Sequence, residues 1–149
     1  MSEHFKLFSA VYLIIEDHEG KILIERRYNT GYMDGKLQFP AGHLDGGEPA
    51  TDSLAREARE ELDIDINPKN LIFKHISHRP SSKENPKEYI DMFFACKKWQ
   101  GQIKINEPEK CSEQLWLTPE EFINHPDSIP YVVKVIKLIE VGQVYSERA

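Results

Sequence analysis

Gly42 to Ile64 reads GHLDGGEPATDSLAREAREELDI, and the placement of its carboxylates decides how the rest of the chain is understood. Pro49 has a fixed helical φ and loses nothing by lacking an N–H at a first helical position, so the pattern predicts a helix opening there, capped by Glu48 and stopping near Leu62. At 100° per residue, Leu54, Ala55, Ala58 and Leu62 fall on one side and Glu57, Glu60 and Glu61 gather on another. One face packs and the other presents three carboxylates. Like charges at these spacings repel by roughly a few tenths of a kcal/mol each on an open surface, so the grouping does not serve helix stability. Two explanations compete. Arg56 with Glu60 and Arg59 with Asp63 lace a solvated face, or the carboxylates hold a divalent cation such as Mg²⁺ or Mn²⁺, which takes oxygen ligands together with waters and phosphates.

The segment before the helix favours the second explanation. Phe39-Pro40-Ala41-Gly42 and Gly46-Gly47 make a loop whose glycines let backbone turn tightly and approach a neighbour closely. The whole stretch resembles the signature of the Nudix hydrolases: Gly42, Glu48, Arg56, Glu57, Ala58, Glu60, Glu61 and Ile64 match at the expected spacing. One position departs, because Asp63 stands where that family has glycine; Asp tolerates the left-handed conformation better than most residues, so slight strain is expected there. Ala58 is a small version of the family's apolar residue.

The resemblance implies a set of roles. Glu57, Glu60 and Glu61 bind Mg²⁺ or Mn²⁺ with help from the carbonyl of Ala41, and Arg56 orients Glu57 while Glu48 holds the loop to the helix. The catalytic base is one of these carboxylates or one from a distant loop, where Glu109 is preferred to Glu107 and is also counted among the metal ligands. Arg27, and more weakly Arg26, is the candidate phosphate contact at the end of a strand; Gly42 and Tyr32 complete the substrate-binding set, Tyr32 by stacking on a base or else by packing on the sheet.

A chain of 149 residues with 40% apolar content is long enough for one domain with a proper core, so residues 1–149 are expected to form a single domain. Its net charge of −6 argues against general binding to nucleic acid or an anionic membrane. Cys96 and Cys111 have no metal-ligand spacing and the N-terminus lacks a basic segment followed by a long apolar run, which suggests a reduced, cytoplasmic protein. The oligomeric state is left open between monomer and homodimer.

Residues 5–15 are apolar on both alternating faces and suit a central strand; Lys21 to Tyr28 resumes the β pattern after a polar turn, so the two read as a hairpin. Further strands are expected at 37–40, 64–66, 71–78, 89–99 and 114–117, with a polar loop at 79–87. His75 and His78 point to opposite faces, which disfavours a shared metal. Thr118 caps a helical turn, and 129–141 is a closing helix whose stripe of Val132, Val133, Ile136 and Ile139 or Val141 covers the sheet face opposite the first helix. The fold class is therefore α/β, a three-layer α/β/α sandwich with a mixed β-sheet, and the resemblance implies the same, Nudix-type fold.

The function this implies is metal-dependent hydrolysis of a nucleoside diphosphate-linked small molecule, foremost a nucleoside or deoxynucleoside triphosphate cleaved to monophosphate and pyrophosphate. The alternative within the class is a sugar-nucleotide or dinucleotide pyrophosphatase. From another class, a non-catalytic module binding a nucleotide or protein would be expected to have lost the signature carboxylates, all of which are present here.

Overall fold

The computed structural model describes residues 3–148. In chain order its elements are β1 (Phe8–Ile15), β2 (Ile22–Arg27), β3 (Leu37–Gln38), β4 (Ala41–His43), α1 (Ala50–Leu62), β5 (Ile72–Arg79), β6 (Tyr89–Cys96), β7 (Cys111–Leu117), α2 (Pro119–Asn124), α3 (Pro130–Glu140) and β8 (Tyr145–Glu147). β1 and β6 run parallel at the centre of a five-stranded mixed sheet ordered β4-β1-β6-β5-β8. A parallel inner pair must be covered on both faces, and the alternation of β1 supplies two apolar surfaces. Val11, Leu13 and Ile15 pack with Leu54, Ala58 and Leu62 of α1. Ala10, Tyr12 and Ile14 pack with Phe122 of α2 and Val132, Val135 and Ile136 of α3. The layers are helix, sheet, helix, as an α/β sandwich requires.

The expected β1–β2 hairpin does not form. After the single bridge between Glu16 and Ile22 the strands part, and β2 becomes the centre of a second, antiparallel sheet ordered β3-β2-β7. The alternation of β2 explains why it needs two covers: Ile22 and Ile24 join the α3-side cluster, while Leu23 joins the α1-side cluster. Residues 64–66 make only the bridge from Asp65 to Gln100, with Ile64 and Ile66 buried under α1. The stripe of α3 is Val132, Val135, Ile136 and Ile139, the i, i+3, i+4, i+7 row; Val135 was missed, and Val141 lies 77% exposed beyond the helix end.

α1 opens one residue later than expected. Pro49 is extended at ψ 153° and its carbonyl accepts from the Ser53 N–H, so Pro49 is the cap residue and Glu48 is free for other work. At the other end Asp63 is left-handed at φ 58°, ψ 38°, as anticipated, and donates its N–H to the Arg59 carbonyl. Its carboxylate also lies 3.4 Å from Lys104 Nζ and 4.0 Å from Arg59 Nη1. Relief of left-handed strain in Asp63→Gly, roughly 1 kcal/mol, is therefore opposed by loss of these half-exposed pairs and by the freer unfolded chain, each worth about half a kcal/mol. The expected result is a chelated melting temperature within a few degrees of wild type, rather than a clear gain; a large loss would show that the pair to Lys104 clamps the 99–106 segment onto α1.

β8 is held to β5 by a buried polar relay in which His75 Nε2 meets Ser146 Oγ at 2.8 Å and Ser146 Oγ donates to Ser77 Oγ at 3.1 Å. His78 instead meets Glu88 at 2.7 Å, so the two histidines have separate structural partners. Among the described residues no helix is long and apolar enough to cross a membrane.

Candidate active site

A cleft of about 800 Å³ opens where β4, the end of β2 and the first turns of β7 meet the acidic side of α1. Glu57 reaches it past β4 because Gly42 has no side chain: a Cβ there would stand 2.5 Å from Glu57 Cδ and 2.6 Å from Oε1. Glu61, one turn further along α1, lines the same cleft and shares a hydrogen bond with Glu57. Glu25 and Glu107 line it as well. Burial and the surrounding carboxylates raise both Glu57 and Glu61 above the ordinary carboxyl range, Glu61 to about 9, so the pair retains a proton near neutrality. Glu25 is raised too, chiefly by burial, and the neighbouring Cys111 thiol is pushed up to about 12 by burial and by Glu25.

Arg56 is the hub that fixes this geometry. Its Nε and Nη2 donate to Glu48 Oε1 at 3.0 and 2.8 Å, tying the loop to the helix, and its Nη1 lies 3.5 Å from Glu57 and 3.2 Å from Glu60. The expected link between Glu48 and the helix is therefore present, made through Arg56 rather than through a cap. Glu60 is half exposed, pairs with the same Arg56 Nη1 that approaches Glu57, and does not line the cleft. Among the described residues no three acidic, histidine or cysteine side chains converge closely enough to enclose a metal. The pair Glu57–Glu61 is nevertheless a donor set that suits Mg²⁺, which commonly takes one or two carboxylates and completes its shell with waters and substrate phosphates.

Glu109 is corrected. A tight turn in which the Lys110 and Cys111 N–H groups donate to the Glu107 carbonyl puts Glu107 in the cleft and leaves Glu109 exposed at the tip, outside it. Arg26 also lines the cleft, but its guanidinium is largely engaged by Asp127, Glu113 and the Gly35 carbonyl, a tie between β2 and the segment before α3. Arg27 lines the cleft too, and its guanidinium lies 5.4 Å from the Tyr32 ring centroid while donating to the Tyr32 carbonyl and Thr30 Oγ1. This places Tyr32, nearly half exposed, at the mouth rather than on the sheet. Ala41 and Gly42 form the floor beside Glu57.

Sequence reasoning missed Glu25 and the whole far wall. The alternation of β2 carried the signal for Glu25, since it shares a face with Leu23 and Leu23 packs beneath α1. The far wall is formed by Tyr12, Tyr89 and Arg79, with Asp91 buried behind them. Arg79 was assigned to a loop but ends β5, where it pairs across with Tyr89.

The raised Glu57–Glu61 pair fixes the sign of a pH effect. Between the ordinary 4.5 and about 9 the folded state binds more protons at this pair than the unfolded state, so the pair's own contribution to metal-free stability is fully present below 4.5 and is lost as pH rises through about 9. Chelated melts across this range are expected to decline more steeply for wild type than for Glu61→Gln; equal slopes would show that the pair does not share its proton.

The model of the NUDIX domain matches residues 6–137. The 8-oxo-dGTP diphosphatase of Escherichia coli (strain K12) is 27% identical over 129 residues, covering 84% of this chain and 93% of that protein. The uncharacterized Nudix hydrolase YfcD of the same organism is 33% identical over 132 residues, covering 87% of this chain and 69% of its own length. Among solved structures, a MutT NUDIX hydrolase from Burkholderia pseudomallei superposes with a TM-score of 0.77 at 16% identity, covering 89% of this chain and 98% of that one. The E. coli ORF135 protein superposes with a TM-score of 0.75 at 23% identity, over 91% and 90%.

Proposed function

This chain belongs to the NUDIX family and is a pyrophosphohydrolase, and from that premise we propose that its substrate is a nucleoside or deoxynucleoside triphosphate, cleaved to the monophosphate and pyrophosphate. The observation that carries this reading is the make-up of the cleft. Glu25, Glu57, Glu61 and Glu107 line it with Arg27 and Lys110, and Tyr12, Tyr32 and Tyr89 line it as well, a combination of charged and aromatic groups that suits phosphates joined to a planar base. The volume of about 800 Å³ lies within the range of small-molecule sites. The name of the E. coli relative, an 8-oxo-dGTP diphosphatase, supports a small triphosphate over a larger dinucleotide.

Hydrolases of this family are generally dependent on a divalent metal. Here Glu57 and Glu61 would hold Mg²⁺ or Mn²⁺, with the Ala41 carbonyl, Glu25 and Glu107 beside them and Glu60 available by rotation away from Arg56. When bound, such a cation neutralises phosphate oxygens and lowers the pKa of water. The chain's own groups do the remainder. Arg27 and Lys110 offset phosphate charge at the mouth, and Arg56 keeps Glu57 aimed past Gly42 by holding Glu48 and the helix in register. Glu107, on the loop facing the Glu57–Glu61 pair, accepts the proton of the attacking water. Every strand from β1 to β7, together with α1, contributes at least one residue to the lining of this one cleft, which favours treating the chain as a single catalytic unit.

The test is product analysis. Triphosphates, a sugar nucleotide and a dinucleotide are incubated with Mg²⁺ or with excess chelator, and phosphate and pyrophosphate are quantified separately. The reading expects pyrophosphate from triphosphates and no turnover under chelation. Turnover confined to sugar nucleotides or dinucleotides, orthophosphate as the product, or full activity in chelator would overturn it.

A further inference from the structure

We propose that Arg79 reads the base of the substrate, selecting bases that present two adjacent acceptors in one plane: guanine through O6 and N7, or cytosine through O2 and N3. The inference rests on the triphosphate reading and names the part of the cleft that the metal-dependent chemistry does not use.

Arg79 is built into position from every side. Its Nε donates to Asp91 Oδ2 at 2.6 Å, and Tyr131 Oη donates to the same oxygen at 2.6 Å. Its Cζ lies 4.7 Å from the Tyr89 ring centroid and 4.5 Å from that of Tyr131. Tyr89 is stacked in turn on Phe8, at 5.3 Å and 24° between planes, and its hydroxyl meets His43 Nε2 at 2.9 Å. The guanidinium carbon thus lies within cation–π reach of two rings while its Nε is tied to a buried carboxylate, and these three contacts restrict where the group can sit.

Stability does not account for this arrangement. Asp91 is wholly buried and its Oδ1 has no partner, and a buried ion pair with an unsatisfied lone pair is commonly no more stable than apolar residues of the same volume. What the arrangement does achieve is to fix a planar donor edge. Among the described residues only Nε of Arg79 is hydrogen-bonded, so the Nη groups remain as donors in a side chain that lines the cleft and is 18% exposed.

Position then decides what those donors meet. Asp91 and Tyr89 are on β6, two strands from β4, where Gly42 admits Glu57. Two strand spacings are about 10 Å, roughly the length of a nucleoside monophosphate, so a triphosphate lying on the carboxylates brings its base and not its phosphates to Arg79. A guanidinium whose Nε is already tied donates parallel hydrogen bonds from its remaining N–H groups to a pair of acceptors. Guanine and cytosine each offer such a pair, whereas adenine offers an acceptor beside an amino donor.

The experiment compares kcat and KM for dGTP, dCTP, dATP, dTTP, 7-deaza-dGTP and 8-oxo-dGTP in wild type and Arg79→Lys. Wild type is expected to favour dGTP or dCTP over dATP and dTTP by about tenfold or more in kcat/KM, the size of one bidentate contact, mainly through KM. Where guanine is the source, 7-deaza-dGTP and 8-oxo-dGTP, which lack the N7 acceptor, fall to the dATP level; where cytosine is, dCTP leads. Lysine keeps the charge without the planar fork, so in the variant the ratio of kcat/KM for the favoured base over dATP falls toward one. Equal kcat/KM for all bases, a preference for dATP or dTTP, or a uniform loss in the variant would overturn the assignment. The wild-type comparison decides this even where the variant folds poorly. Turnover without base preference defeats this inference alone, while absence of turnover on every triphosphate defeats the triphosphate reading and this inference with it.

Discussion

Glu61→Gln is expected to lower kcat by roughly a hundredfold or more at saturating Mg²⁺ while the metal-free protein melts at the same or a slightly higher temperature. The two halves of this result have one cause. Glu61 is crowded by Glu25, Glu57 and Glu107 and withdrawn from water, so the folded state pays to ionise it and protonates it instead. Glutamine keeps the shape and the hydrogen bond to Glu57 but carries no charge, which removes a source of repulsion and also a metal-binding oxygen. A carboxylate on a solvated ion-pair face would show neither effect, because surface substitutions usually change stability by about half a kcal/mol or less and leave the rate alone. Steady-state kinetics with Mg²⁺ and melts in chelator, on the same preparations, separate the two cases. Near-normal turnover in the variant would remove the carboxylates from the chemistry.

Gly42→Ala is the second substitution with a large expected effect, and it is the more specific. The added methyl would meet the end of the Glu57 side chain at 2.5 Å and no backbone atom closer, so the fold can accommodate it by swinging a flexible carboxylate aside. Melting in chelator should shift by no more than the equivalent of about 1 kcal/mol. Activity should fall by about a hundredfold, since moving a catalytic carboxylate by an ångström or more out of its place is that costly. The conformation of residue 42 itself is ordinary and needs no glycine. A variant of normal activity would show that Glu57 works from a rotamer that does not cross β4; a variant that unfolds would show that the methyl is met by the sheet and not by Glu57.

The sequence made the helix legible because its chemistry is local. Leu54, Ala58 and Leu62 repeat within one element, and the carboxylates are displaced from them by a fixed angle, so the packing face and the acidic face of α1 follow from spacing alone. Asp63 was legible for the same reason. What could not be read was tertiary. Glu107 and Glu109 are two residues apart in a loop, and only the turn closing on the Glu107 carbonyl decides which enters the cleft. Arg79 lies twelve residues from Asp91 and further still from Tyr131, and its neighbours are brought together by sheet register and by the docking of α3. β1 and β2 look like a hairpin because each alternates, yet each strand is apolar on both faces and one sheet cannot cover both pairs of faces; the chain divides them between two sheets.

The claim on which everything else depends is that the Glu57–Glu61 pair is the seat of a divalent cation. Calorimetric titration of Mg²⁺ into chelator-treated, dialysed protein at neutral pH, repeated in buffers of different ionisation heat, tests it most directly, because a pair that retains a proton must release it when a cation takes its oxygens. The predicted result is saturable binding with release of about one proton per cation in wild type, and loss of both binding and proton release in Glu61→Gln. Binding of equal strength in wild type and variant, with no protons released in either, would contradict it.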